Sequence, residues 1–206
     1  MKNLSVKTAT DLGPQFTKNS HGSVGMDGAF SIRLGNGETF WYFGDTLFGK
    51  RIPNESLWFP GGVQVGPEEM RGVGGVERML TNTALVLCDM DNNKQLSSFE
   101  FILDEEGSPH QPVPFHKNEN PDNIRVWCQD GVCLGKKIYL SYVNVKMLAK
   151  GPLPVNFELL GTGLAVGRKG EYRFKRLEHH SETLWWKTPL PGFGGGIVYD
   201  SKTDYV

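Results

Sequence analysis

Two aspartates sit where a pair of carboxyl groups could do acid–base chemistry. Asp27 closes Gly25-Met26-Asp27-Gly28, and Asp45 closes Trp41-Tyr42-Phe43-Gly44-Asp45. Between them, Phe30, Ile32 and Leu34 alternate with Ala29, Ser31 and Arg33, Gly35-Asn36-Gly37 interrupts, and Phe40-Trp41-Tyr42-Phe43 resumes. Alternating runs around an Asn-Gly turn predict a β-hairpin. With the turn centred on Asn36, Leu34 faces Glu38, Ser31 faces Trp41, Ala29 faces Phe43 and Asp27 faces Asp45. A two-residue loop shifts the register by one and leaves Asp27 diagonal to Asp45. In either register both carboxyl groups end one hairpin. Facing like charges are destabilising in a sheet. Two close carboxyls push their pKa values apart, leaving one protonated and one ionised, as general acid–base cleavage of a glycosidic bond requires. The other reading is local: an aspartate at a turn entry binds backbone amides.

The rest of the chain must position that pair. It has 206 residues, 22 Lys+Arg against 23 Asp+Glu and a net charge of −1, which excludes a strongly basic nucleic-acid binder. Hydrophobic content of 38% is globular, and 26 Gly with 12 Pro imply many turns and few long helices. No apolar run is long enough for a membrane span, and the first residues carry no signal-peptide core.

Further strands are expected at Thr83–Cys88, Ser98–Leu103, Ile124–Cys128, Gly131–Leu134, Lys137–Val145, Leu159–Gly167, Tyr172–Arg176 and from Gly195 to Tyr199. Loops are expected over residues 50–80, 104–123 and 146–155, the last with a helical turn as an alternative. The fold class is all-β. Gln129-Asp130-Gly131-Val132-Cys133-Leu134 followed by Lys137-Ile138-Tyr139-Leu140 echoes Met26-Asp27-Gly28-Ala29-Phe30 followed by Phe40-Trp41-Tyr42-Phe43, and Gly196-Ile197-Val198-Tyr199 resembles the start of a third copy. Repeated antiparallel units of this size suggest propeller blades, against the alternative of a β-sandwich.

Sugar rings stack on aromatic faces, and their hydroxyls need polar partners. Trp58 and Phe59, in the long loop, are candidates for a sugar platform or for packing of that loop. Asn82 is a sugar contact or a turn residue, and His21, shortly before Asp27, is a substrate contact candidate. Asp130 holds the place of Asp27 in the second copy, either as a third carboxylate or as a plain Asp-Gly turn. The three cysteines, Cys88, Cys128 and Cys133, make no complete disulfide framework and read as buried thiols, with Cys128 and Cys133 able to meet across a hairpin. The five histidines form no zinc-binding pattern, and no metal or cofactor is expected.

The strings Gly25-Met26-Asp27-Gly28-Ala29-Phe30-Ser31 and Trp41-Tyr42-Phe43-Gly44-Asp45-Thr46 resemble the opening blade of domain-of-unknown-function family 4185, which includes endo-D-arabinanases. Thr81-Asn82-Thr83-Ala84-Leu85-Val86 and Gly194-Gly195-Gly196-Ile197-Val198-Tyr199 resemble it more loosely. The resemblance implies a five-bladed β-propeller glycoside hydrolase, secreted or periplasmic, that acts on a polysaccharide with two aspartates matching Asp27 and Asp45. The alternative is a non-catalytic carbohydrate- or protein-binding propeller. Residues 1–206 then make a single, incomplete propeller of two to three blades. At about 40–50 residues per blade, some 120–150 residues are missing, or a partner chain covers the open edge. Neither nucleic acid nor membrane is an expected partner.

Overall fold

The computed structural model describes residues 5–13, 15–54, 75–89, 98–148 and 156–203. The alternation that starts at Phe30 becomes β2 (Phe30–Gly35), with Ile32 and Leu34 buried and Ser31, Arg33 and Gly35 exposed. Its partner is β3 (Glu38–Phe43). Asn36 and Gly37 form the two-residue turn, at φ of 54° and 81°. Two successive positive φ values suit asparagine followed by glycine and match the twist of the strands. β1 (Ser23–Met26) precedes this hairpin, and β4 (Thr46–Gly49) follows it.

Three sheets result. β2, β3, β6 (Thr83–Asp89) and β7 (Ser98–Phe101) form one in that order. β8 (Ile124–Leu134), β9 (Lys137–Leu148), β10 (Asn156–Arg168) and β11 (Lys175–Arg176) form a second, and β12 (Trp186–Lys187) also pairs with β10. β1, β4 and β5 (Val76–Leu80) form a third. The described residues are all-β, with antiparallel pairing throughout and no α-helix.

The main core lies between the first two sheets. Ile32, Leu34, Phe40, Tyr42, Ala84 and Val86 pack against Val126, Cys128, Ile138, Leu140, Tyr142 and Phe174. Phe40 and Tyr42 are fully buried, and Phe40 contributes about 1.5–3 kcal/mol by leaving water. Aromatic residues on the other face of the first sheet, Phe43, Phe101, Trp41 and Phe99, gather around Phe16. β2 also packs beside β8, so the first strands of the two larger sheets are neighbours.

The first and third sheets share a seam. β1 leads into β2 across 27–29, β3 into β4 across 44–45, and β5 into β6 across 81–82. Phe43 faces Thr83 on one side of the break, and Thr46 faces Leu80 on the other. Three strands therefore leave one sheet and enter another at a common level. The Thr46 and Thr83 hydroxyls bridge the seam at 2.7 Å.

Some expected elements differ. The loop expected over 50–80 is shorter, because β4 runs to Gly49 and β5 occupies Val76–Leu80. β9 continues through Leu148, where a loop or helical turn was expected. Ile124–Cys128 and Gly131–Leu134 are one strand with a bulge, because Cys128 and Gly131 keep pairing with β9 across the irregularity. Cys128 and Cys133 therefore lie on one strand as free thiols and cannot meet across a hairpin. Gly195–Tyr199 forms no strand. It is held instead by a side chain, since the Ile197 amide donates to Asp130 Oδ2 at 2.7 Å.

Candidate functional site

The seam is where the hairpin register brings the two aspartates together. Phe30 faces Tyr42 and Ser31 faces Trp41, while Met26 faces Thr46 on the other side. Asp27 and Asp45 fall between these pairs. The Asp27 amide donates to the Asp45 carbonyl at 3.2 Å, and the Gly44 amide donates to the Asp27 carbonyl at 2.9 Å. The two-residue turn alone would have set them diagonally, because Gly35 faces Glu38. The register shifts between Arg33 and Gly35, leaving Leu34 as an extra residue that restores the facing pair.

The two carboxyls meet different surroundings. Asp27 is exposed to solvent, and Asp45 is half-buried with its carboxyl enclosed. Trp127 reaches in from β8 and donates its Nε1 hydrogen to Asp45 Oδ1 at 2.9 Å. Burial pushes the Asp45 pKa up to about 7 from 3.8. The Trp127 hydrogen bond opposes that rise, the Asp27 charge adds to it, and the Arg125 charge opposes it. Asp27 is also raised, by desolvation first, against a hydrogen bond from the Asp45 backbone. Asp45 is thus a carboxyl able to hold a proton near neutrality beside a solvent-exposed one.

Close packing fixes this arrangement. A Cβ built on Gly44 would stand 2.6 Å from Asp27 Oδ1 and 3.7 Å from the Trp127 ring, so glycine there lets the carboxyl lie over the backbone. Cys128 donates its thiol hydrogen to the Gly28 carbonyl. Burial pushes that thiol pKa well up, and both aspartates add to the rise. The thiol is therefore a packing group beside the pair rather than a ready nucleophile.

The other candidates are spread out. Asn82 is 0% exposed, and its amide group clamps the core. Its Nδ2 donates to the Val113 and Val126 carbonyls at 3.1 and 3.2 Å, and its Oδ1 accepts from the Val113 amide at 3.1 Å. That fixes the 104–123 loop to β8 and leaves the side chain no opening to a ligand. Asp130 accepts from the Gly131 and Ile197 amides, one oxygen each. Its own amide donates to Ser141 Oγ at 3.0 Å, so a hydroxyl stands in the second copy where Asp45 stands in the first. His21 packs edge-on against Phe101 at 5.8 Å, on the side of Lys50 and Arg78. Trp58 and Phe59 lie outside the described residues.

Trp127 was missed by the sequence reading, because its link to Asp45 joins residues far apart in the chain. Phe157 was missed too. Its ring meets Trp127 edge to face, with centroids 5.0 Å apart. A separate cleft of about 810 Å³ runs between β5 and the 104–123 loop, and Arg78, Thr81, His110, Gln111, Phe115 and Arg125 line it. Arg125 connects it electrostatically to Asp45. Among the described residues, no three His, Cys, Asp or Glu side chains gather as metal ligands.

The family described as "Domain of unknown function (DUF5005)" matches residues 13–206. The match gives no support to family 4185, which the hairpin resembles, or to an arabinanase. No curated protein matches the chain. A candidate hydrolase from Bacteroides ovatus superposes with a TM-score of 0.46 at 18% identity, over 72% of this chain and 36% of that one. The chain thus spans about a third of that protein's length.

Proposed function

We propose, from the premise that this chain belongs to the DUF5005 family, that it is a glycoside hydrolase whose acid–base pair is Asp45 and Asp27. The observation that carries this reading is the facing pair at the seam, with one carboxyl enclosed against Trp127 and the other open to water. A purely structural hairpin has no use for facing carboxyls. Asp45, protonated near neutrality, donates to the leaving glycosidic oxygen as the bond to the anomeric carbon breaks. Asp27 takes a proton from the water that attacks that carbon, or attacks it directly to form a glycosyl ester that water, deprotonated by Asp45, then hydrolyses. The carboxyl separation selects between these: about 6.5–9.5 Å leaves room for water and about 5–5.5 Å suits the nucleophile.

Within the same proposal, the two larger sheets are adjacent blades of a propeller. The second is an antiparallel meander, the first keeps chain order with β4 and β5 looped out between β3 and β6, and their first strands, β2 and β8, lie side by side. The resemblance of the opening hairpin to family 4185 points to a polysaccharide, arabinan-like, cut internally.

The test is a panel of neutral polysaccharides incubated with purified protein, read as release of reducing sugar. Release by the wild type, reduced at least a hundredfold by Asp27→Asn and by Asp45→Asn, supports the proposal. Near-wild-type turnover in either variant overturns the assignment. Binding without release identifies a non-catalytic carbohydrate-binding module instead.

A further inference from the structure

We propose that Phe157 is a stacking platform for a sugar ring beside Asp45, in a subsite whose inner wall is Trp127. The inference rests on the glycoside hydrolase reading for the identity of its ligand.

Phe157 stands near the start of β10, opposite Met147 of β9. The β9–β10 hairpin runs past the end of β8 here, because β8 starts with Ile124 opposite Lys146. Among the described residues no strand continues β8 alongside this part of the hairpin, and Phe157 is 48% exposed. Leu148, at the end of β9, and Leu159, two residues further along β10, are also exposed. An isolated exposed apolar residue is ordinary, but this one is anchored. Its ring meets the Trp127 indole at 85°, and the indole is in turn tied to Asp45 by its ring nitrogen. Trp127 therefore fixes the direction of the Phe157 ring and of the Asp45 carboxyl with one side chain.

Edge-to-face contact occupies at most one face of Phe157, and its 48% exposure leaves the ring open to a ligand. A sugar ring presents a patch of C–H bonds on one face and hydroxyls around its rim. The face suits an aromatic ring, and the rim suits the Asp45 carboxyl that the Trp127 ring nitrogen reaches. A protein partner would need a far wider apolar surface than one ring and two leucines provide. Trp127, which touches Asp45 and the platform, acts here as a positioning residue.

Binding is measured by affinity electrophoresis in gels containing arabinan, xylan, galactan, mannan or glucan, using the uncleaving Asp45→Asn protein. At least one polysaccharide should retard it. Adding Phe157→Ala should weaken that retardation about tenfold, and Phe157→Tyr should restore it, with melting temperatures unchanged. Retardation by none of the five, or equal retardation of the alanine variant, overturns the platform. Phe157-dependent binding by a wild-type protein that releases no sugar refutes the acid–base reading and leaves the platform standing. Sugar release indifferent to Phe157→Ala does the reverse.

Discussion

Replacing Asp45 with asparagine should stabilise the protein, by an amount that grows from nothing near pH 4 to its full size above about pH 7. The Asp45 pKa rises on folding from 3.8 to about 7. The folded state then holds the proton more firmly than the unfolded state does. Its contribution to stability is fully present below pH 3.8 and is lost as pH climbs through about 7. Three units at about 1.4 kcal/mol each set a ceiling of about 4 kcal/mol. Asp45 is only half-buried, and solvent screening brings the expectation to about 2 kcal/mol. Asparagine keeps the shape and offers Oδ1 to the Trp127 ring hydrogen, yet has no charge to desolvate. For a chain of this length, about 2 kcal/mol raises the melting temperature by roughly 4–8 °C. Thermal unfolding of wild type and Asp45→Asn, followed by circular dichroism at each pH from 4 to 8, measures it. The two should coincide near pH 4, diverge through pH 5 and 6, and reach a constant gap above pH 7. A gap that does not vary with pH, or one largest in acid, refutes the burial argument.

Other expectations follow from the same geometry. Gly44→Ala drives a methyl toward Asp27 Oδ1, so that carboxyl must swing aside; sugar release should fall about a hundredfold while the melting temperature barely moves. Unchanged release would mean that Asp27 has no fixed position to lose. Asn82→Leu strands three buried backbone groups at Val113 and Val126 and should cost about 3–5 kcal/mol, read from urea midpoints; a loss under about 1 kcal/mol would refute the clamp.

The hairpin was legible in the sequence because its signals are local. Apolar and polar residues alternate with period two, and Asn36-Gly37 supplies the backbone angles that the turn requires. The seam was not legible. Asp27-Gly28 and Gly44-Asp45 read as strand ends or turns, and nothing local says that β5 breaks at the same level. Asp130 shows the same limit. Its motif matches Asp27, but the residue opposite it is Ser141, and its oxygens serve two amides. Asn82 looked polar and loop-borne, whereas its amide is spent on loop and strand carbonyls that only the tertiary fold gathers. Trp127 had no pattern to announce it, since the second sheet must dock before its ring nitrogen finds Asp45.

The extra residue at Leu34 makes loop length and carboxylate pairing separately heritable. Without it, a two-residue turn sets Thr46 opposite Asp27, and a hydroxyl takes the place of the second acid. A lineage that lengthens the turn by one residue can discard the extra residue and keep its acids face to face. One that loses the extra residue alone forfeits the pair in a single deletion. Length changes on the two sides of Gly35 should therefore descend through the family as compensated pairs, and a descendant carrying only one of them should have left hydrolysis behind.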